Sequence, residues 1–146
     1  MEMNGTTVIA RPVDVVWDYV IDTAHDADWR TGVDESGLQS VEPVGPGTLG
    51  YTLAGNQRAE WRVKSYEPGV SVEWEFTSGP LLGRGGYRLV PVDGGTEFTL
   101  LADIEPASWL KYLGPVFTWI GRRQNQNDVE KLRGILESMP EKGTGS

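Results

Sequence analysis

The sequence predicts an α+β domain in which a curved antiparallel sheet of six to seven strands wraps around one long C-terminal helix. Three observations carry this expectation. Across 33–105 apolar residues recur with a period of two, broken by short turns such as "EPG" and "VDGG". One strand and two short helical segments precede that run. A long amphipathic segment over 106–139 follows it.

The elements follow in chain order. "GTTVIA" reads as the first strand. "RPVDVVWDYVID" switches to helical spacing, with Val13, Val16, Trp17 and Val20 on one face and Pro12 suited to the first turn. "TAHDADW" predicts a second helical turn, with Thr23 as a candidate cap. Alternation then sets out the strands. "TLGYTLA" puts Leu49, Tyr51 and Leu53 on one side. "AEWRVKS" does the same for Ala59, Trp61, Val63 and Ser65, and "VSVEWEFT" for Val70, Val72, Trp74 and Phe76. "GGYRLVPV" contributes Tyr87 and Leu89, and "TEFTLLADIE" contributes Phe98, Leu100, Ala102 and Ile104. The short turns make neighbours pair antiparallel. In the last segment Gly114-Pro115 predicts a break into a short and a long helix. The apolar stripe of the long part is interrupted by "GRRQNQND", which sets Asn125 on the inward face.

Composition narrows the function classes. The 146 residues suffice for one core, expected over 1–139, with a polar flexible tail over 140–146. Cysteine is absent and histidine occurs once, so neither a disulfide framework nor a zinc site is expected. The net charge of −8 opposes nucleic acid and anionic membranes. "MEMNGTTVIARP" has no basic region followed by an apolar stretch, and no apolar run approaches the ~20 residues of a bilayer span. A cytoplasmic protein, monomer or homodimer, is the expectation. "GPGTLG" and "GRGG" do not match a phosphate loop, and "GRGG" is expected to loop at the mouth of a cavity.

The inferred inward set carries no charge. It offers phenols, a serine hydroxyl and indole N–H groups among apolar surface, which suits a hydrophobic ligand held by few polar contacts. The candidate ligand-binding residues are Trp17, Trp29, Tyr51, Trp61, Trp74, Phe76, Tyr87, Phe98, Leu100, Phe117, Ile120 and Asn125. No catalytic residue, metal ligand or cofactor is expected. The alternative for Asn125 is a buried amide satisfied by backbone. Within "HDADWRTGV", His25 is read as a rim residue held in solvent by Asp26 and Asp28, and Trp29 as a lid over the interior.

The element order, with "IARPVDVVWDYVIDTAHDADWRTGV", "YEPG", "VDGGTEFTL" and "NDVEKLRGILE", resembles the SRPBCC (START-like) superfamily. Within it the sequence is similar to polyketide cyclase/dehydrase-type bacterial members. The resemblance covers nearly the whole chain. It implies a helix-grip fold with a deep apolar cavity between sheet and C-terminal helix. It also implies a choice of functions: carriage of a small hydrophobic (aromatic, acyl or polyketide-like) ligand, cyclisation or dehydration, or a ligand-free interaction role. In the catalytic alternative, Tyr51, Tyr87 or Arg30 would polarise the substrate.

Overall fold

The computed structural model describes residues 2–40, 44–79, 82–105 and 114–140. Strand β1 (Gly5–Ile9) leads into α1 (Val13–Ile21), a 3-10 turn (Thr23–His25) and α2 (Asp26–Trp29). Six strands follow: β2 (Glu35–Leu38), β3 (Leu49–Ala54), β4 (Gln57–Glu67), β5 (Ser71–Ser78), β6 (Leu82–Val92) and β7 (Gly95–Glu105). Helix α3 (Gly114–Ser138) ends the fold. All strands pair antiparallel in one sheet of order β1-β7-β6-β5-β4-β3-β2. This is the expected helix-grip architecture. The expected short helix before Gly114 and the tail beyond 140 lie outside the described residues.

The core forms where α1, α2 and the C-terminal half of α3 meet the concave face. Val16 and Val20 of α1, Trp29 of α2, Phe98 and Leu100 of β7, and Val129, Leu132 and Leu136 of α3 are 0–2% exposed. The turn after α1 is capped by Asp22, whose carboxylate accepts from the Ala24 amide at 3.0 Å. Thr23, the expected cap, lies one residue inside. A carboxylate is the stronger acceptor there.

Two strands depart from the expected alternation. In β3 the concave face carries Gly50, Thr52 and Ala54, while Leu49, Tyr51 and Leu53 point outward. Gly50 is required by its neighbour, because a Cβ there would come 2.2 Å from the Trp61 ring. In β4 a bulge between Val63 and Ser65 reverses the parity. Ser65 is therefore exposed, and Tyr66 turns inward to meet Trp17 at 5.7 Å between rings. "GRGG", expected as a loop, lies inside β6.

The polar interruption of α3 has a structural task. The helix crosses β1 so closely that a Cβ on Gly5 would sit 2.7 Å from the Asn125 carbonyl oxygen. Along this free edge of the sheet, helix side chains replace a missing strand. The Gln126 amide accepts from Thr6 N–H at 3.0 Å and donates to Thr6 C=O at 2.9 Å. Arg122 and Asn125 donate to the carbonyls of Glu2 and Met3, and Glu137 accepts from the Ala10 amide. An edge strand left bare is a template for unwanted pairing. Here it is sealed from within the chain.

Candidate ligand-binding cavity

The inward residues of β3 are small because something must remain empty. Thr52, Ala54 and Ala59 face a cavity of about 220 Å³ bounded by β2–β6 on one side and by α1, the 3-10 turn and α2 on the other. Its inner walls are Val63, Val72, Trp74, Phe76, Trp61 and Val20. The exposed Leu38, Ala54 and Gln57 mark its mouth. At the inner end lies Tyr87, 3% exposed. Trp61 and Trp74 contact each other at 6.1 Å, and Trp74 meets Tyr87 edge-on at 5.0 Å. Three rings thus run from wall to floor.

One polar cluster interrupts this apolar surface. Arg30 Nη1 donates to the Tyr87 hydroxyl at 3.5 Å, and the guanidinium lies 5.3 Å from the Trp29 ring. Asp26, on the same face of α2, lines the cavity while only 8% exposed. Its Oδ1 has no hydrogen-bond partner among the described residues. Burial pushes the carboxyl up to about 6 against the opposing pull of the Arg30 cation and the Ser36 hydroxyl. Burial likewise pushes the Tyr87 phenol well above its usual range, so it remains a neutral O–H. Ser36 and Thr52 hydroxyls are 3.0 Å apart, and Trp61 Nε1 donates to Thr52 at 3.1 Å. Behind the cluster, Asp128 of α3 is 3% exposed and accepts from both the amide and the hydroxyl of Thr31. That clamp fixes the turn that carries Arg30.

The structure brings four of the twelve candidate residues to the cavity: Trp61, Trp74, Phe76 and Tyr87. Four others are packed core. Trp17 packs on Tyr66, while Trp29 lies between Tyr87 and Phe98 at 5.8 and 5.9 Å. Phe98 and Leu100 are 0% and 1% exposed beneath α3. Trp29 is therefore no lid, and its buried Nε1–H has no partner among the described residues. Tyr51 is on the outer face, donating to Glu35 at 2.7 Å and lying under the Arg58 guanidinium. Among the described residues none of α3 lines the cavity, and the short helices frame it there. Phe117 is half-buried away from it, Ile120 is 50% exposed, and Asn125 is spent on the β1 edge. His25 lies outside the cavity, stacked on Tyr19 at 4.0 Å with Nδ1–H donating to the Tyr19 carbonyl.

Asp26, read from the sequence as holding His25 in solvent, is instead buried and lines the cavity, and its spacing holds the signal that places it there. It precedes Trp29 by three positions, the spacing that shares a helical face, and that face is buried. Ser36 and Thr52 gave no such signal, because small polar residues in a strand read as the wet side.

A family model described as polyketide cyclase/dehydrase and lipid transport matches residues 1–137. The chain belongs to this family. No curated protein sequence matches it. Solved structures share its fold at low identity. A START superfamily protein from Mycobacterium smegmatis is 12% identical with a TM-score of 0.81, covering 95% of this chain and 99% of that one. The aromatase/cyclase Zhui from Streptomyces sp. R1128 is 16% identical with a TM-score of 0.76, covering 94% and 93%. A protein from Thermus thermophilus is 14% identical with a TM-score of 0.74, covering 93% and 97%. The family description spans catalysis and transport, so the choice between them falls to the site. Among the described residues no helix is long and apolar enough to cross a membrane.

Proposed function

We propose that this family member binds a compact hydrophobic ligand carrying one polar group. The supporting observation is the cavity itself: apolar walls of Val, Trp and Phe close on polar groups at Tyr87, Arg30 and Asp26, with the Ser36 and Thr52 hydroxyls beside them. Its size sets the ligand's scale. A cavity of ~150 Å³ accepts benzene, whereas drug-sized pockets start near ~300 Å³. At about 220 Å³ the site suits one or two fused rings, or a short acyl chain, better than an extended polyketide. Burial of the apolar part drives binding, and the polar cluster orients it.

Trp61 and Trp74 make the cavity self-reporting. Titration with bicyclic aromatics, short acyl compounds and steroids is expected to quench or shift tryptophan emission for the first two classes. Loss of the response in Ala59→Leu, which fills the cavity, would assign it to this site. An unchanged spectrum with every class, together with no co-purified small molecule in native mass spectrometry, would refute the reading.

A further inference from the structure

We propose that the cavity is also a proton-transfer site, in which Asp26 accepts a proton from the carbon next to a carbonyl while the Tyr87 hydroxyl, backed by Arg30, holds the carbonyl oxygen. This rests on the ligand-binding reading of the same cavity. Three observations support it. Asp26 is a buried carboxyl that lines a cavity otherwise built for apolar contact, and its Oδ1, itself closed off from solvent, has no hydrogen-bond partner among the described residues. Native structures rarely retain such an acceptor without a use for it. Tyr87 carries the opposite function. Arg30 donates to its oxygen, which leaves the phenolic hydrogen free to donate and strengthens it as a donor. Both groups line the same cavity. Finally, Val63, Val72, Trp74 and Phe76 keep the surroundings apolar, where a carboxylate is poorly solvated and a strong base. Its upward displacement to about 6 places it near the pH at which a general base is most effective.

The step balances without a co-reactant. A lone pair on Asp26 forms a bond to the α-hydrogen. The C–H electron pair becomes the new C=C bond, and the carbonyl π pair moves onto oxygen, where the Tyr87 O–H holds the enolate. Asp26 then returns a proton to the same carbon, after exchange with water at the mouth, or to a conjugated carbon, which shifts a double bond. The substrate class is a compact cyclic ketone, and the products are its exchanged or isomerised forms.

The test uses the full chain with 1-indanone, 1-tetralone and cyclohexenone in D₂O. Binding is read from tryptophan fluorescence, and loss of the α-hydrogen signal from proton NMR. The expected result is exchange about a hundredfold faster than in buffer, increasing through pH ~6 as Asp26 ionises. Asp26→Asn should bind but exchange at the buffer rate, Tyr87→Phe should bind and lose about tenfold, and Ala59→Leu should do neither. A ketone that binds the wild type but exchanges no faster than in buffer, or as fast in Asp26→Asn, overturns the inference and leaves the binding reading standing. Failure of all three ketones to bind overturns the proton-transfer role and, with the titrations above, tests the binding reading separately.

Discussion

Asp26 dominates the molecule at the scale of single residues. Its folded-state value of about 6 lies above the ordinary 3.8, so the folded chain holds this proton more tightly than the unfolded one. The stability linked to it is fully present below 3.8 and is lost as pH rises through about 6. A displacement of about two units corresponds to roughly 3 kcal/mol. Asp26→Asn is therefore expected to be more stable than the wild type by roughly 1–3 kcal/mol at pH 7.5 and nearly equal to it at pH 4. Urea denaturation at both values checks this, and a destabilised variant at pH 7.5 would contradict it. Two residues show why single positions were hard to read. Asn125 stands where an apolar residue would continue the stripe, and the ligand is one explanation for an amide there. The backbone just before β1 is the other, and Asn125 donates to the Met3 carbonyl there. Tyr51 alternates correctly with its neighbours, yet the small residues beside it own the inner face.

At the scale of elements, α3 has two roles. Its C-terminal half buries Val129, Leu132 and Leu136, and its middle seals β1. Gln126→Ala removes two hydrogen bonds to Thr6 and is expected to cost about 1–3 kcal/mol in urea denaturation. It also bares the edge, so concentration-dependent association should appear in size-exclusion chromatography. Asp128 couples α3 to the cavity's polar cluster. Asp128→Ala removes both Thr31 contacts and is expected to cost roughly 3 kcal/mol. It should also speed amide exchange across 26–38, with ligand affinity falling as Arg30 loses its fixed position. Unaltered exchange in that segment would show that the clamp is not what holds it. The existence and order of the elements were legible from periodicity alone. The bulge in β4 was not, because one extra residue leaves no mark on composition while it moves every later side chain to the other face.

At the scale of the whole molecule, the sheet curls and the helices fall short of filling it. Ala59→Leu adds apolar volume to the wall of the cavity. It is expected to leave the melting temperature unchanged or raised while ligand affinity falls more than about tenfold, because filled space adds packing without strain. A lowered melting temperature would mean that the cavity is already occupied by side-chain motion. The sequence by itself determined the secondary-structure order, the antiparallel pairing, the family resemblance and most of the core. Those depend on local periodicity and on turn chemistry, which neighbouring residues encode. Only the tertiary structure decided where the empty space lies. A cavity is defined by what its walls lack, here the longer side chains that Thr52, Ala54 and Ala59 do not extend. Hydrophobic patterning records large residues and passes over small ones, so it pointed to Phe117 and Ile120 on α3. The space formed instead beneath α2, where Asp26 and Arg30 face an interior that no run of apolar letters announces.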